Sequence, residues 1–354
     1  MENRRLGQSD RARSRTKQHC VRRLIELTVA GCVVLGVSAC SGPGGSNEPA
    51  VDPRVLGGTV VPGATGVVDF TYTTDWGFTQ DCTGSMITPH VVLTAARCFV
   101  PTFGSHSGTV NVTINYYDPK YGRRVVHDGS ANWSAHPNYP GQSREAIEGF
   151  AESAKDDLAV LVVPEVLGNL NTGITDYHDY LRIYGGDKDL LQKGPQLAYG
   201  AGATDHNGNS DDQLRYGAFD AEAETDYLKL EGTQTPDLRM CKGDSGGPFE
   251  YTVTVGGQPV PMLAAVWSNF NTEVVNGEGP SCAGNERGHD DSYACLMHDS
   301  HVQWVEGAAG ISCVEQSGGS HRYRRCFDLP FVEDVPGEGL DANVATAIVA
   351  SVLW

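Results

Sequence analysis

The chain has 354 residues and a formal net charge of −18, with 44 Asp and Glu against 26 Lys and Arg. That length suits one large domain or two small ones with a sizeable core, and the acidic balance argues against nucleic acid as a partner.

The charge is unevenly spread. Residues 1–39 hold eight Lys/Arg, from Arg4 to Arg23, against three acids, a local +5 that leaves −23 on the remainder. Leu27–Ala39 is then nearly all apolar. Its thirteen residues make ~20 Å of helix, short of the ~30 Å of a bilayer core. A signal peptide over 1–39 is therefore expected rather than a membrane span. It ends in Val37-Ser-Ala-Cys40, which resembles a bacterial lipobox, where Cys40 would be lipidated and tether the chain to a membrane. The plain alternative is an ordinary signal peptide with an incidental cysteine. Export places the chain in an oxidising compartment, so disulfides are expected among the seven cysteines after Cys40, with one thiol left over. Residues 40–54, rich in Gly, Pro and Ser, read as a flexible linker.

From Val55 the pattern is all-β. Runs at Val67–Thr73, Val91–Ala96, Thr109–Tyr117, Leu158–Val163 and Asp226–Leu230 are separated by Gly, Pro, Asn and Asp clusters. Val110, Val112 and Ile114 alternate with polar residues, as a half-buried strand requires. Phe249–Val255 and Gln258–Trp267 flank Gly256-Gly257, a hairpin turn. Arg144–Ala154 has a helix-like composition with Ser143 as a cap. Asp205–Asp211 spaces its oxygens as a calcium loop does but has Tyr216 where the twelfth-position Glu belongs. It reads as a solvated loop, and no metal or cofactor is expected.

Chemistry concentrates in Cys241-Lys-Gly-Asp-Ser-Gly-Gly-Pro248. Glycines on both sides of Ser245 permit positive φ and a tight turn. Such a turn aims the amides of Gly243 and Ser245 at one point, an oxyanion hole, with Ser245 Oγ beside it as nucleophile. Asp244 then points inward, where a buried carboxylate needs a cation. This string resembles the nucleophile loop of trypsin- and chymotrypsin-like serine proteases.

The resemblance extends over about Val55–Ala309. It implies two packed six-stranded antiparallel β-barrels with the site between them, closed by a helix at Val302–Ala309. It implies an activation cut after Arg54, pairing the new Val55 ammonium with Asp244. It implies a Cys82–Cys98 bridge, worth on the order of 3 kcal/mol for a ~15-residue loop, and a bridge from Cys241 to Cys282, or less readily to Cys295. Arg239 corresponds to the floor of the primary specificity pocket, where it would favour acidic side chains or else pair internally. Trp267 and Ser268 correspond to the pocket wall and the strand that binds substrate backbone, although Trp267 suits a core equally. Asp157, in Lys155-Asp-Asp-Leu158 after His136-Pro-Asn-Tyr139, corresponds to the residue that orients the base, with Asp156 the less favoured register. Gly310–Trp354 is an extension in which Cys313 and Cys326 would close a small loop across a basic patch.

At one position the pattern breaks. Within Leu93-Thr-Ala-Ala-Arg-Cys98, the family places its histidine base where this chain has Arg97. A guanidinium stays protonated and has no lone pair to offer, so Arg97 cannot take the Ser245 proton. An ion pair of Arg97 with Asp157 is expected instead. His90, His127, His136 and His206 are out of register with the base position, and His127 and His136 read as surface residues. Two functions follow: an exported serine endopeptidase homologue, impaired at its base, or a non-catalytic pseudoprotease that binds through the retained cleft. Either would act as a monomer on a protein or peptide.

Overall fold

The computed structural model describes residues 55, 58–61, 66–118, 122–141, 150–167, 180–186, 188–193, 196–203, 210–232, 238–255, 257–270, 292–318 and 321–329. Expectations for Cys40, Cys282, His206, the signal peptide, the linker and the chain beyond 329 fall outside these residues.

A two-residue strand, β1 (Thr59–Val60), precedes the first barrel. The barrel comprises β2 (Val67–Thr73), β3 (Thr79–Thr88), β4 (Val91–Thr94), β5 (Ser107–Asp118), β6 (Gly122–Ala135) and β7 (Ala159–Val162). Its strands follow the order β2-β3-β4-β7-β6-β5 and close by pairing β5 with β2. Two short helices, α1 (Val100–Phe103) and α2 (Phe150–Ala154), lie in its connections. Of the helix expected over Arg144–Ala154, Phe150–Ala154 is helical and residues 142–149 are not described.

Aromatic side chains fill this barrel. Phe99 stacks on Phe70 at 5.7 Å, on Tyr72 at 5.6 Å and on Trp133 at 4.9 Å between ring centroids. All four are almost fully buried, and rings of this size carry much of a core's energy. Tyr72 donates its hydroxyl hydrogen to the Cys98 carbonyl, which anchors the end of the Ala96–Cys98 turn. Burial pushes this phenol up to about 12.

After β8 (Arg182–Tyr184) the second barrel forms from β9 (Gln196–Gly200), β10 (Arg215–Ala223), β11 (Tyr227–Gly232), β12 (Pro248–Val255), β13 (Gln258–Phe270) and β14 (Ser292–Leu296). Its order is β12-β9-β10-β11-β14-β13, closed by β13 on β12, and every pairing in both barrels is antiparallel. Val255 faces Gln258 across the Gly256-Gly257 turn, where Gly257 has φ +82° and a side chain would be strained. Phe219, Phe249, Met262 and Trp267 make the core here.

Helix α3 (Asp299–Ala309) follows and buries His301, Val302 and Val305. It stops at Gly310 in the left-handed conformation, whose amide bonds back to the Glu306 carbonyl. The chain continues into a hairpin, β15 (Ile311–Gly318) and β16 (His321–Asp328), in which Cys313 directly opposes Cys326 and is bonded to it. The bridge therefore crosslinks two strands rather than closing a free loop. β16 pairs with β8, and β8 runs parallel to β13, so the hairpin prolongs the sheet of the second barrel. Its last residue reaches the first: Asp328 accepts from Thr88 Oγ1 at 2.5 Å and contacts His90 Nδ1 at 2.8 Å.

Candidate active site

The serine loop is held between the barrels by backbone contacts. Gly243 and Gly246 take φ of +97° and +88°, conformations that suit glycine. A Cβ on Gly246 would lie 1.9 Å from Thr94 Oγ1 and 2.2 Å from the Thr83 carbonyl, so only glycine lets the loop sit this close to β3 and β4. Thr83, on β3, staples it there. Its amide donates to the Ser245 carbonyl at 2.9 Å, its hydroxyl donates to the Gly243 carbonyl at 2.9 Å, and that hydroxyl accepts from the Ala201 amide at 3.1 Å. From the other side, Gly246 donates to the Trp267 carbonyl at 2.9 Å and Trp267 donates to the Gly247 carbonyl at 2.8 Å. Ser245 itself is half-buried. Among the described residues its hydroxyl has no hydrogen-bond partner, and the amides of Gly243 and Ser245 have no acceptor.

Asp244 is fully buried and points inward. It accepts from the Gly202 amide and the Cys241 amide, each at 2.7 Å. A Cβ on Gly200 would lie 2.0 Å from its Oδ1, and one on Gly202 2.7 Å away, so the glycines of Ala198-Tyr-Gly-Ala-Gly202 make room for this carboxylate. Val55 is also fully buried, within the second-barrel core, and has φ +43°. A β-branched residue in that region is strained.

The strand order brings Arg97 and Asp157 together across 60 residues. Asp157, just before β7, is fully buried, whereas the Arg97 side chain keeps 15% exposure. Oδ1 accepts from the Arg97 main-chain amide at 2.8 Å, and Oδ2 accepts from Arg97 Nε at 2.8 Å. The expected pairing is present, but one main-chain and one side-chain nitrogen make it, not two guanidinium nitrogens. Ser268 Oγ donates to the same Oδ2 at 2.5 Å. Burial pushes the Asp157 carboxyl up, while Arg97 and the Ser268 hydroxyl pull it back down. The Tyr139 phenol nearby is pushed up by burial and by Asp157.

Several sequence expectations change here. The Ser268 hydroxyl serves Asp157, which leaves its main chain for the expected role toward substrate backbone. The Trp267 ring lies in the core of the second barrel, and its main chain holds the serine loop. His127 and His136, expected at the surface, are 5% and 8% exposed. His90 is engaged with Asp328. None of the described histidines hydrogen-bonds to Ser245. Arg239 is half-buried and engaged in an interaction of its own. Thr83 carried no sequence signal beyond its place next to Cys82.

The disulfides include Cys82–Cys98, which ties β3 to the turn bearing Arg97. Cys241 is disulfide-bonded; its expected partner, Cys282, lies outside the described residues. Cys295, the alternative, is a free buried thiol donating to the Lys155 carbonyl at 2.9 Å. Burial and the neighbouring Asp157 and Asp156 push it well above the ordinary thiol range.

No curated protein matches the chain. The family model described as Trypsin matches residues 57–257, more than half of the sequence. With two closed six-stranded barrels and the serine loop wedged between them, the chain belongs to the trypsin family.

Proposed function

We propose that this chain is an exported trypsin-family serine endopeptidase homologue whose turnover is impaired at the base position. One observation carries the reading: both Asp157 oxygens are taken by Arg97 and Ser268, and Ser245 Oγ has no proton acceptor among the described residues. A triad needs a group that removes the serine proton and returns it to the leaving amine. Arg97 fills the volume beside Asp157 with a permanent cation and performs neither step. Ser245 as nucleophile, with the Gly243 and Ser245 amides as oxyanion donors, is supported by the positive φ of Gly243 and by amides left without acceptors.

Export rests on the basic and apolar segment of residues 1–39 and on the bonded cysteine pairs. In this reading Cys40 carries a lipid anchor and a cut after Arg54 frees the domain. Arg239 selects acidic side chains in a bound peptide. No helix of the described residues is long and apolar enough to cross a membrane.

The second reading, a pseudoprotease that binds peptides without cutting them, draws on the same ion pair. Incubating a peptide library with the full chain, with a form beginning at Val55, and with Ser245→Ala separates the two. Slow cleavage lost in Ser245→Ala supports the impaired enzyme. Peptide retention without cleavage supports the binding module. Cleavage at ordinary protease rates contradicts both.

A further inference from the structure

Away from the serine, three side chains from three segments converge without a role in the site. His136 follows β6, Asp156 lies three residues before the start of β7, and His301 lies in the first turn of α3. His136 Nδ1 is 3.1 Å from Asp156 Oδ1, and His301 Nε2 is 3.3 Å from the same oxygen. The three potential ligand atoms all lie within 4.8 Å of one another. A metal ion held at about 2.0–2.2 Å by imidazole nitrogen and carboxylate oxygen in tetrahedral geometry sets neighbouring ligand atoms roughly 3.3 Å apart, which is the spacing of both these contacts.

Two further observations point to a ligand. First, the His301 tautomer is set by its surroundings. Its Nδ1 lies 2.8 Å from the Leu296 carbonyl, an oxygen that only accepts, so Nδ1 carries a hydrogen. In the neutral ring Nε2 then presents a bare lone pair to the Asp156 carboxylate. That face-off repels unless a proton or a cation lies between them. An Nδ1–H donating to a main-chain carbonyl is also how metal-binding histidines are oriented. Second, the His136 side chain is only 10% exposed, and its Nδ1 faces Asp156 Oδ1 at 3.1 Å without the alignment of a hydrogen bond. Both rings are fixed by packing: His136 stands edge-on to His301 at 5.4 Å and to Trp304 at 5.0 Å. Asp156 keeps 28% side-chain exposure, which leaves an opening for entry and for a water as fourth ligand.

We propose that His136 Nδ1, His301 Nε2 and Asp156 form a binding site for one divalent transition-metal ion of zinc type. Two imidazoles and one carboxylate suit zinc better than the oxygen-loving calcium or magnesium. The ion would join the first barrel to α3 and would hold Asp156 one residue from Asp157. The plain alternative is a proton: a His301 imidazolium sharing Asp156 with His136 and binding no metal.

The test uses the full, tag-free chain after removal of metals with EDTA. Zinc chloride is titrated in by calorimetry at pH 7.5, and thermal unfolding is followed with and without the ion. Cobalt(II) serves as a coloured stand-in whose visible absorption reports tetrahedral nitrogen and oxygen ligation. The expected result is one ion per chain, a Tm rise of about 5 °C at a hundredfold excess over Kd, and a tetrahedral cobalt spectrum. His136→Gln and, separately, Asp156→Asn should each weaken binding at least tenfold and abolish the cobalt spectrum. His298→Gln, beside the cluster with its ring 5.0 Å from His301, should leave both unchanged. The parent result decides even if a variant folds poorly. No stoichiometric zinc binding by the parent overturns the proposal and leaves the protonated cluster. Binding that persists at full strength in folded His136→Gln and Asp156→Asn overturns it equally.

Discussion

Replacing Arg97 with alanine tests the buried ion pair at the centre of this account. Asp157 has no exposed surface, and Arg97 supplies one of its two charged or hydroxyl side-chain donors. Removing one partner of a buried pair typically costs about 3–5 kcal/mol, because the other charge stays behind unpaired. Here the main-chain amide of residue 97 and the Ser268 hydroxyl remain, so the lower end, about 3 kcal/mol, is expected. For a domain of this size that is a Tm loss of about 5 °C. The loss should also depend on pH. Without the Arg97 guanidinium, burial outweighs the remaining main-chain amide and Ser268 hydroxyl and holds the folded Asp157 carboxyl above its unfolded value. A carboxyl raised in this way is tolerated while protonated and costs stability as pH rises toward its folded pKa. The gap between Arg97→Ala and the parent should therefore be smaller at pH 5 than at pH 8. Urea denaturation at the two pH values, read by tryptophan fluorescence, measures both. A gap under about 1 kcal/mol that is the same at both pH values would refute the reasoning, since it would place the pair with ordinary surface ion pairs.

Thr83→Val keeps the shape but removes the hydroxyl that bonds Gly243 and Ala201, so denaturation should show a loss of about 1–3 kcal/mol. Glu250 is fully buried with Tyr199 as its partner, and burial raises it from 4.5 to about 8. It therefore favours folding most below about pH 4.5, and that contribution is lost as pH rises through about 8; at about 1.4 kcal/mol per pH unit, the effect reaches a few kcal/mol. Glu250→Gln should gain on the parent steadily between pH 5 and pH 8, and a difference independent of pH would mean that the parent carboxyl is already ionised in the fold. Cys295 should resist iodoacetamide in the folded chain and react only after denaturation, as followed by mass spectrometry; rapid native labelling would contradict its burial.

The parts of the fold legible in the sequence were those written in local alternation. Val67–Thr73 matches β2 residue for residue, and the Gly256-Gly257 hairpin joins β12 to β13 as expected. The serine loop, the Cys82–Cys98 bracket and Asp157 were legible because each is a short string of unusual residues. What was missed depends on distant contacts. Thr83 acts on Gly243 across 160 residues, and nothing in its own neighbourhood marks that. Nothing around Ser268 marks that its hydroxyl donates to a carboxylate 111 residues away. On β6 the pattern misled outright: Val125 is 56% exposed while His127 is buried, so polarity pointed the wrong way. The hairpin after α3 was read as an appendage because its partner strand, β8, is three residues long and too short to register as a strand.

The most direct measurement is the rate of cleavage of one peptide by the chain beginning at Val55 and by its Arg97→His variant, each with and without Ser245→Ala. Removing the base of a triad lowers kcat by about 10⁶-fold. Restoring an imidazole beside Asp157 and Ser268 should therefore raise Ser245-dependent turnover at least about 100-fold, even with imperfect placement. If the parent already cleaves as fast as its Arg97→His variant, and Ser245→Ala silences both, then a base other than residue 97 serves this serine and the central claim is wrong.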